Sequence, residues 1–191
     1  MTGRDPHPAL DAHAYPVDHL AEVAPGLAIA DDTVSPTALR ADGFDAIYDV
    51  YGRGLHPPPT GAAYVVHRID DLPWAAVPDS VDGLANEIAG LVRAGRRVVI
   101  TCSTGLDRSG LVVARALIAL GHTPAEAIDL VRGARGPRAL SNRAFVRYLL
   151  LDCTPRRLAE RGFGAPPEPE RASRQERPRR RASGRSRRRP S

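Results

Sequence analysis

Short apolar runs alternate along the chain with stretches whose apolar residues recur at helical spacing. The runs predict strands over 27–30, 44–51, 63–69 and 98–101. The helical spacing predicts helices over 36–43, 79–94, 109–120 and 124–135, and a last helix beginning at residue 141. Because strands alternate with helices, the pattern predicts an α/β domain. Its sheet should be mainly parallel, with about four or five strands and helices on both faces.

The stretch from Val98 to Gly110 carries the strongest candidate chemistry, and it reads V-V-I-T-C-S-T-G-L-D-R-S-G. A β-branched run ends at Cys102, a short polar loop follows, and an apolar helix then begins. Free N–H groups at a helix N-terminus bind anions, and a cysteine held there is favoured as its thiolate. Arg108 can bend back and offer its planar guanidinium to the same anion. A buried structural cysteine beside a surface arginine is the plainer but less favoured interpretation.

Cys102, Gly105, Arg108 and Ser109 resemble the signature C-x-x-G-x-x-R-[ST] of the cysteine-dependent protein tyrosine phosphatases. The flanking sequence, over about residues 22–152, looks most like the compact dual-specificity branch. The resemblance therefore implies the compact cysteine-phosphatase fold. One departure is Thr101, where the family usually has a histidine that helps to hold the loop and tune the thiol.

Asp107 stands directly before the signature arginine. The resulting pattern, C-x-x-G-x-D-R-[ST], is similar to that of phosphatases acting on phosphoinositides and of some bacterial broad-specificity tyrosine phosphatases. Asp107 could bind a substrate hydroxyl or a water from inside the loop, or it could pair with a neighbouring arginine. Both interpretations stay open at the level of sequence.

The resemblance implies a role for each residue of the loop. Cys102 would be the nucleophile, Arg108 would match the charge on the phosphoryl oxygens, and the Ser109 hydroxyl would stabilise the thiolate as leaving group. Gly105 would let the backbone turn inward without a Cβ clash. The substrate phosphate would be bound by the loop from residue 103 to residue 108, that is by Ser103, Thr104, Gly105, Leu106, Asp107 and Arg108.

The leaving oxygen needs a proton donor, and the end of the 63–69 strand offers two aspartates. If Ile69 points into the core, Asp70 points away from it and Asp71 is the first residue released into the loop. The I-x-D pattern also resembles the family's acid position at Asp71, so Asp71 is favoured and Asp70 is the alternative. Asp79 is a third candidate, but it directly precedes a helix and fits an N-cap better.

The charge of the chain divides it into segments. Residues 155–191 hold 13 arginines and 4 glutamates, whereas residues 1–154 hold 14 arginines and 18 acidic residues. We therefore expect a loosely ordered arm over 1–20, a catalytic domain over 21–154 and a disordered arginine-rich tail over 155–191. The tail could attract an acidic partner, either nucleic acid or anionic lipid, or it could be a solubilising extension without further consequence.

Two cysteines provide neither a disulfide framework nor a zinc pattern, and Cys153 fits a small core residue. No apolar run is long enough to span a membrane, and the N-terminus lacks a secretory signal. A cytoplasmic location is expected, since a nucleophilic cysteine needs a reducing compartment. We expect no cofactor and no metal.

The leading hypothesis is a phosphatase that forms a phosphocysteine intermediate and acts on phosphotyrosine, or on phosphoserine and phosphothreonine, in proteins. A phosphoinositide or an RNA 5′-phosphate is an alternative substrate, because fold does not determine substrate. An alternative of another class is a weakly active phosphate-binding or nucleic-acid-binding module that acts through the arginine-rich tail. A rhodanese-like or arsenate-reductase-like enzyme is disfavoured by the C-x5-R spacing, the upstream aspartate and the position of the motif in mid-chain.

Overall fold

The computed structural model describes residues 19–54 and 56–163. They form one sheet and its helices. The strands are β1 (Leu20–Ala24), β2 (Leu27–Asp31), β3 (Ala46–Asp49), β4 (Ala63–Val66) and β5 (Val98–Cys102). The helices are α1 (Pro36–Ala41), α2 (Ser80–Arg93), α3 (Arg108–Leu120), α4 (Pro124–Arg135), α5 (Arg143–Arg147) and α6 (Pro155–Glu160). A π-helical turn, Tyr148–Asp152, follows α5 directly.

The strand order is β1-β2-β5-β3-β4, and only β1 is antiparallel to its neighbour. All five residues of β5 are buried, as expected for the central strand of a sheet that is covered on both faces. In register, Asp31 lies opposite Cys102 and Asp49 lies opposite Thr101. The carboxyl ends of β2, β3 and β5 therefore meet at one edge of the sheet, which is where sites in such sheets form. The predicted α/β fold with a mainly parallel sheet is confirmed.

Helix α3 lies at the centre of the larger core. Eleven of its 13 residues are buried, so the helix is apolar on nearly every side, as its sequence indicates. It packs against α2, α4 and the sheet. The opposite face of the sheet has a smaller cluster, in which α1 covers Ala28, Ile47 and Val99 with Leu39. This arrangement fixes the N-terminus of α3 beside the end of β5.

The two ends of the described chain differ from the sequence expectation. The expected N-terminal arm already contributes Leu20 to strand β1, which pairs with β2 across a turn at Gly26. The sequence L-A-E-V-A has little β propensity of its own, so only the pairing identifies it as a strand. The rest of the arm, residues 1–18, lies outside the described residues.

The expected boundary at residue 154 is also too early. Thr154 caps helix α6, whose Leu158 is buried in the core, and Phe163 packs against the same cluster. Arginine-rich composition concealed this helix, because only one apolar side chain in it faces the protein. The remainder of the predicted tail, residues 164–191, lies outside the described residues.

Candidate active site

Cys102 ends the central strand, and the loop that follows it leads into the first turn of α3. The cysteine is buried, and its Sγ lies 3.2 Å from the Oγ of Ser109, which is fully buried. The hydroxyl can therefore donate to a thiolate at Cys102. Thr101, which occupies the expected histidine position, directs its hydroxyl to the carbonyl oxygen of Tyr48 on β3 at 3.5 Å.

The loop is tight, and its shape depends on Gly105. This residue has φ of +65°, and a Cβ on it would lie 2.5 Å from Nη2 of Arg135 and 3.1 Å from the backbone of Ala30. The buried Arg135 donates from Nε to the carbonyl of Gly105 at 2.9 Å and from Nη2 to that of Thr104 at 3.1 Å. Within the described part of the chain, the amides of residues 104–107 donate no hydrogen bond of their own. These N–H groups are therefore available to an anion, while Arg135 holds the carbonyls of Thr104 and Gly105.

Arg108 is the first residue of α3, and its guanidinium lies between two side chains at the rim. Its Nε lies 3.8 Å from Oδ2 of Asp71, and its plane stacks 4.4 Å from the ring centre of Tyr51. Asp49, at the end of β3, holds the Tyr51 loop by accepting hydrogen bonds from the amides of Tyr51, Gly52 and Gly54. The Nε of Arg108 is buried and makes no hydrogen bond with any described residue. The guanidinium is thus oriented but retains donors for an oxyanion.

The two candidate acids occupy different surroundings. Asn142 donates from Nδ2 to Oδ1 of Asp71 at 2.7 Å, and Asp71 faces Arg108. Asp70 is largely exposed and pairs with Arg68 at 3.0 Å. The structure therefore brings Asp71, and not Asp70, to the rim that carries Cys102 and Arg108.

Asp107 has a role that neither sequence interpretation included. It accepts hydrogen bonds from the hydroxyl of Ser141 at 2.9 Å and from the amide of Asn142 at 2.8 Å. The expected pairing with an arginine is not found among the described residues. Asp107 instead ties the loop to the segment that carries Asn142, which in turn contacts Asp71.

Asp79 stands at the N-cap position of α2, as expected, but its side chain does not cap the helix. It accepts a hydrogen bond from Nη2 of Arg161 at 2.8 Å instead. Asp79 therefore faces Arg161 and not the rim that carries Cys102 and Arg108.

Four residues of the rim were not identified from sequence: Asp49, Tyr51, Arg135 and Asn142. Asn142 had a usable signal, because it precedes a helix and its Oδ1 caps α5 through the amide of Ala144. Its second contact, with Asp71, joins residues far apart in the chain and has no local signature. The same holds for Arg135, which the sequence places only at the end of a helix.

Among residues 19–54 and 56–163, no group of three or more histidine, cysteine, aspartate or glutamate side chains is placed to hold a metal ion. No helix in the same residues is long and apolar enough to cross a membrane.

Comparison with known proteins finds this fold in solved structures. No protein-family model matches the sequence, and no curated protein is similar to it. Solved structures do match. A mouse protein described as a dual specificity phosphatase, complexed with zinc tungstate, is 23% identical with a TM-score of 0.63, over 80% of this chain and 95% of the mouse chain. Human DUSP28 is 25% identical with a TM-score of 0.61, over 69% of this chain and 90% of its own.

A third match is the human tyrosine phosphatase-like serine/threonine/tyrosine-interacting protein. It is 20% identical with a TM-score of 0.55, over 68% of this chain and 92% of its own. The chain therefore has the fold of the dual-specificity cysteine phosphatases, and the resemblance stated from sequence is confirmed for the fold. Because the matched set includes a protein named as phosphatase-like, the chemistry of this chain has to be argued from its own residues.

Proposed function

We propose that this protein is a cysteine-dependent phosphatase that hydrolyses phosphate monoesters through a phosphocysteine intermediate. The observation that supports it best is the convergence of Cys102, Ser109, Arg108 and Asp71 on one rim of the sheet. Proteins phosphorylated on tyrosine, or on serine and threonine, are the leading substrate class, in keeping with the names of the structural neighbours.

In the first step the thiolate of Cys102 attacks phosphorus, and the bond from phosphorus to the leaving oxygen breaks. The three remaining phosphoryl oxygens receive hydrogen bonds from the loop amides and from Arg108, which stabilise the charge of the transition state. Asp71, in its protonated form, donates its proton to the leaving oxygen. Asn142 holds Oδ1 of Asp71, so the other carboxyl oxygen is the one that faces Arg108 and the loop.

In the second step water attacks the phosphocysteine, and the bond between sulfur and phosphorus breaks. Asp71, now a carboxylate, accepts a proton from the water. The departing sulfur becomes a thiolate again, and the Ser109 hydroxyl, 3.2 Å away, donates a hydrogen bond to it. Phosphate is released and the thiolate is ready for another cycle.

The test is phosphate release from a small aryl phosphate by the full chain. Cys102→Ser should abolish turnover while still binding vanadate or tungstate, because the loop amides and Arg108 remain. Cys153→Ala is the matched control, since Cys153 is the other cysteine and lies in the core next to the π-helical turn that begins at Tyr148. It should retain activity in its folded fraction.

Substantial turnover by Cys102→Ser, or loss of wild-type activity on adding a chelator, would contradict the mechanism. A wild-type chain that binds phosphate without hydrolysing any ester would favour a phosphate-binding module instead. Hydrolysis of phosphoinositides or of RNA 5′-phosphates in preference to phosphopeptides would agree with the proposed mechanism but would contradict the proposed substrate class.

A further inference from the structure

A groove of about 650 Å³ is lined by residues that follow Asp71 and Asn142 closely in sequence. One wall begins at Pro73, two residues after Asp71, and the other begins at Arg143, directly after Asn142. Since two residues span at most about 7 Å of extended chain, both walls begin close to the catalytic rim. A substrate held at Cys102 would therefore have its neighbouring residues at the mouth of this groove.

The groove presents two arginines that make no ion pair. Arg143 and Arg147 are one turn apart on α5, both are exposed, and neither forms an ion pair or side-chain hydrogen bond within the described residues. Arg161 also lines the groove, but it is already paired with Asp79. Asp152 is the other acidic residue of the lining. The two arginines on α5 are thus the cationic groups that an acidic ligand would meet.

The opposite wall carries the most exposed large apolar side chain among the described residues. Trp74 is 79% exposed and lines the groove. In one groove, an exposed indole offers contact area to an extended peptide, and the two arginines offer charge to its acidic residues. Neither feature is needed to hydrolyse a small phosphate ester.

We propose that this groove binds acidic residues of a substrate peptide next to its phosphorylated residue. The proposal rests on the phosphatase function proposed above and narrows it to phosphoproteins with acidic sequence around the modified side chain. Since each residue advances an extended chain by about 3.3 Å, acidic residues about two to five positions from the phosphorylated one reach the groove.

The experiment compares two phosphotyrosine peptides, one with glutamates at these positions on both sides and one with glutamines. The full wild-type chain should favour the acidic peptide in kcat/KM, and R143A/R147A should lower that preference by about three- to tenfold. The preference should also shrink in about 0.5 M salt, because exposed ion pairs are screened. Hydrolysis of an aryl phosphate, which does not reach the groove, should stay within about twofold.

R96A/R156A is the matched control. It removes the same charge from two exposed arginines, one before β5 at the opposite edge of the sheet and one on α6 outside the groove lining. It should keep the acidic preference. An equal loss in this control, or equal losses on both peptides in R143A/R147A, would overturn the groove proposal. Wild-type inactivity toward aryl phosphate would instead overturn the phosphatase proposal on which it rests.

Discussion

Helix α3 carries two arginines that each face an aspartate, and the two pairs differ in the distance between the charged groups and in exposure to solvent. Arg108 and Asp71 lie 3.8 Å apart at the rim, where the aspartate side chain is 33% exposed. Arg115 and Asp82 lie 2.6 Å apart, with side chains 1% and 0% exposed. We call Arg108 and Asp71 the open pair, because the aspartate is accessible to a ligand. We call Arg115 and Asp82, two turns later along the helix, the closed pair, because both side chains are buried.

The closed pair belongs to a larger buried cluster. Tyr148 donates its hydroxyl to Oδ1 of Asp82 at 2.7 Å. Nη2 of Arg161 lies 2.5 Å from the other carboxylate oxygen, as an ion pair without hydrogen-bond alignment. Phe163 lies over both Arg115 and Arg161, with centroid distances of 6.0 and 5.7 Å. The cluster therefore fastens the C-terminal helix α6 to α2 and α3.

The comparison shows what separates a reactive pair from a structural one. In the closed pair the carboxylate is enclosed by Arg115, Tyr148 and Arg161 and is removed from water, so it has no capacity to bind a substrate. In the open pair the guanidinium is oriented by Tyr51 but keeps its donors, and the carboxyl remains accessible. Burial and the number of partners that enclose the carboxylate, rather than residue type, distinguish the two.

The largest effect on activity is expected from the removal of Arg108, the arginine of the open pair. We expect Arg108→Ala to lower kcat/KM toward an aryl phosphate by about 10³-fold or more, because the phosphoryl charge loses its main side-chain donor. Its free energy of unfolding should change less than in a variant of the closed pair, since Nε makes no hydrogen bond and the guanidinium meets Asp71 and Tyr51 at the rim. Arg108→Lys should remain strongly impaired, because an ammonium cannot offer two parallel N–H groups. A large loss of stability in Arg108→Ala would mean that the open pair is structural as well.

Removing Arg115 should have the opposite effect. Arg115→Ala leaves the buried carboxylate of Asp82 without the arginine that is hydrogen-bonded to it, which costs about 3–5 kcal/mol of unfolding free energy. The folded fraction should keep nearly all of its specific activity, because Arg115 lies two turns from the loop. Urea unfolding combined with an activity assay separates the two effects. Tyr148→Phe, which removes a neutral donor to the same carboxylate, should cost less, about 1.5–3 kcal/mol.

The open site was largely predictable from sequence because its signals are local. Cys102, Gly105, Arg108 and Ser109 lie within eight consecutive residues, so a strand, a tight loop and a helix suffice to bring them together. Asp71 was predictable because the strand over 63–69 was expected to end beside it, and the carboxyl ends of parallel strands share one edge. Strand β4 in fact ends earlier, at Val66, and the chain continues from there to Asp71 at the rim.

The closed cluster was not predictable, because nothing in the sequence marks it. Asp82 and Arg115 occur in two different helices, and charged residues in helices are normally taken to face solvent. Only the packing of α2 against α3 turns them toward each other. Arg135 and Asn142 were missed for the same reason, since their partners in the loop and in Asp71 become neighbours only in the folded chain.

A smaller effect is expected from the aspartate of the open pair. Asp71→Asn should lower kcat by about 10²-fold and flatten the alkaline limb of the pH profile, because the amide cannot donate the catalytic proton. Substrates with poor leaving groups should suffer more than those with good ones. Asp70→Asn, which removes only a surface pair with Arg68, is the control and should behave like the wild type. If Asp70→Asn shows the loss and Asp71→Asn does not, the acid is assigned to the wrong residue.

The smallest expected effect is the contribution of Cys153 to the pH dependence of the unfolding free energy. Burial is the main cause that raises the pKa of the Cys153 thiol from its ordinary 9.0 to about 11 in the folded chain. Folding therefore favours the protonated thiol. This contribution is fully present below about pH 9 and is lost as the pH rises toward 11, an expected change of about 2–3 kcal/mol in unfolding free energy. Cys153→Ala should lack this loss, so the difference between its unfolding midpoint and that of the wild type should shift between pH 8 and 11. An unchanged difference between the two midpoints over this pH range would contradict the assignment of the alkaline loss to Cys153.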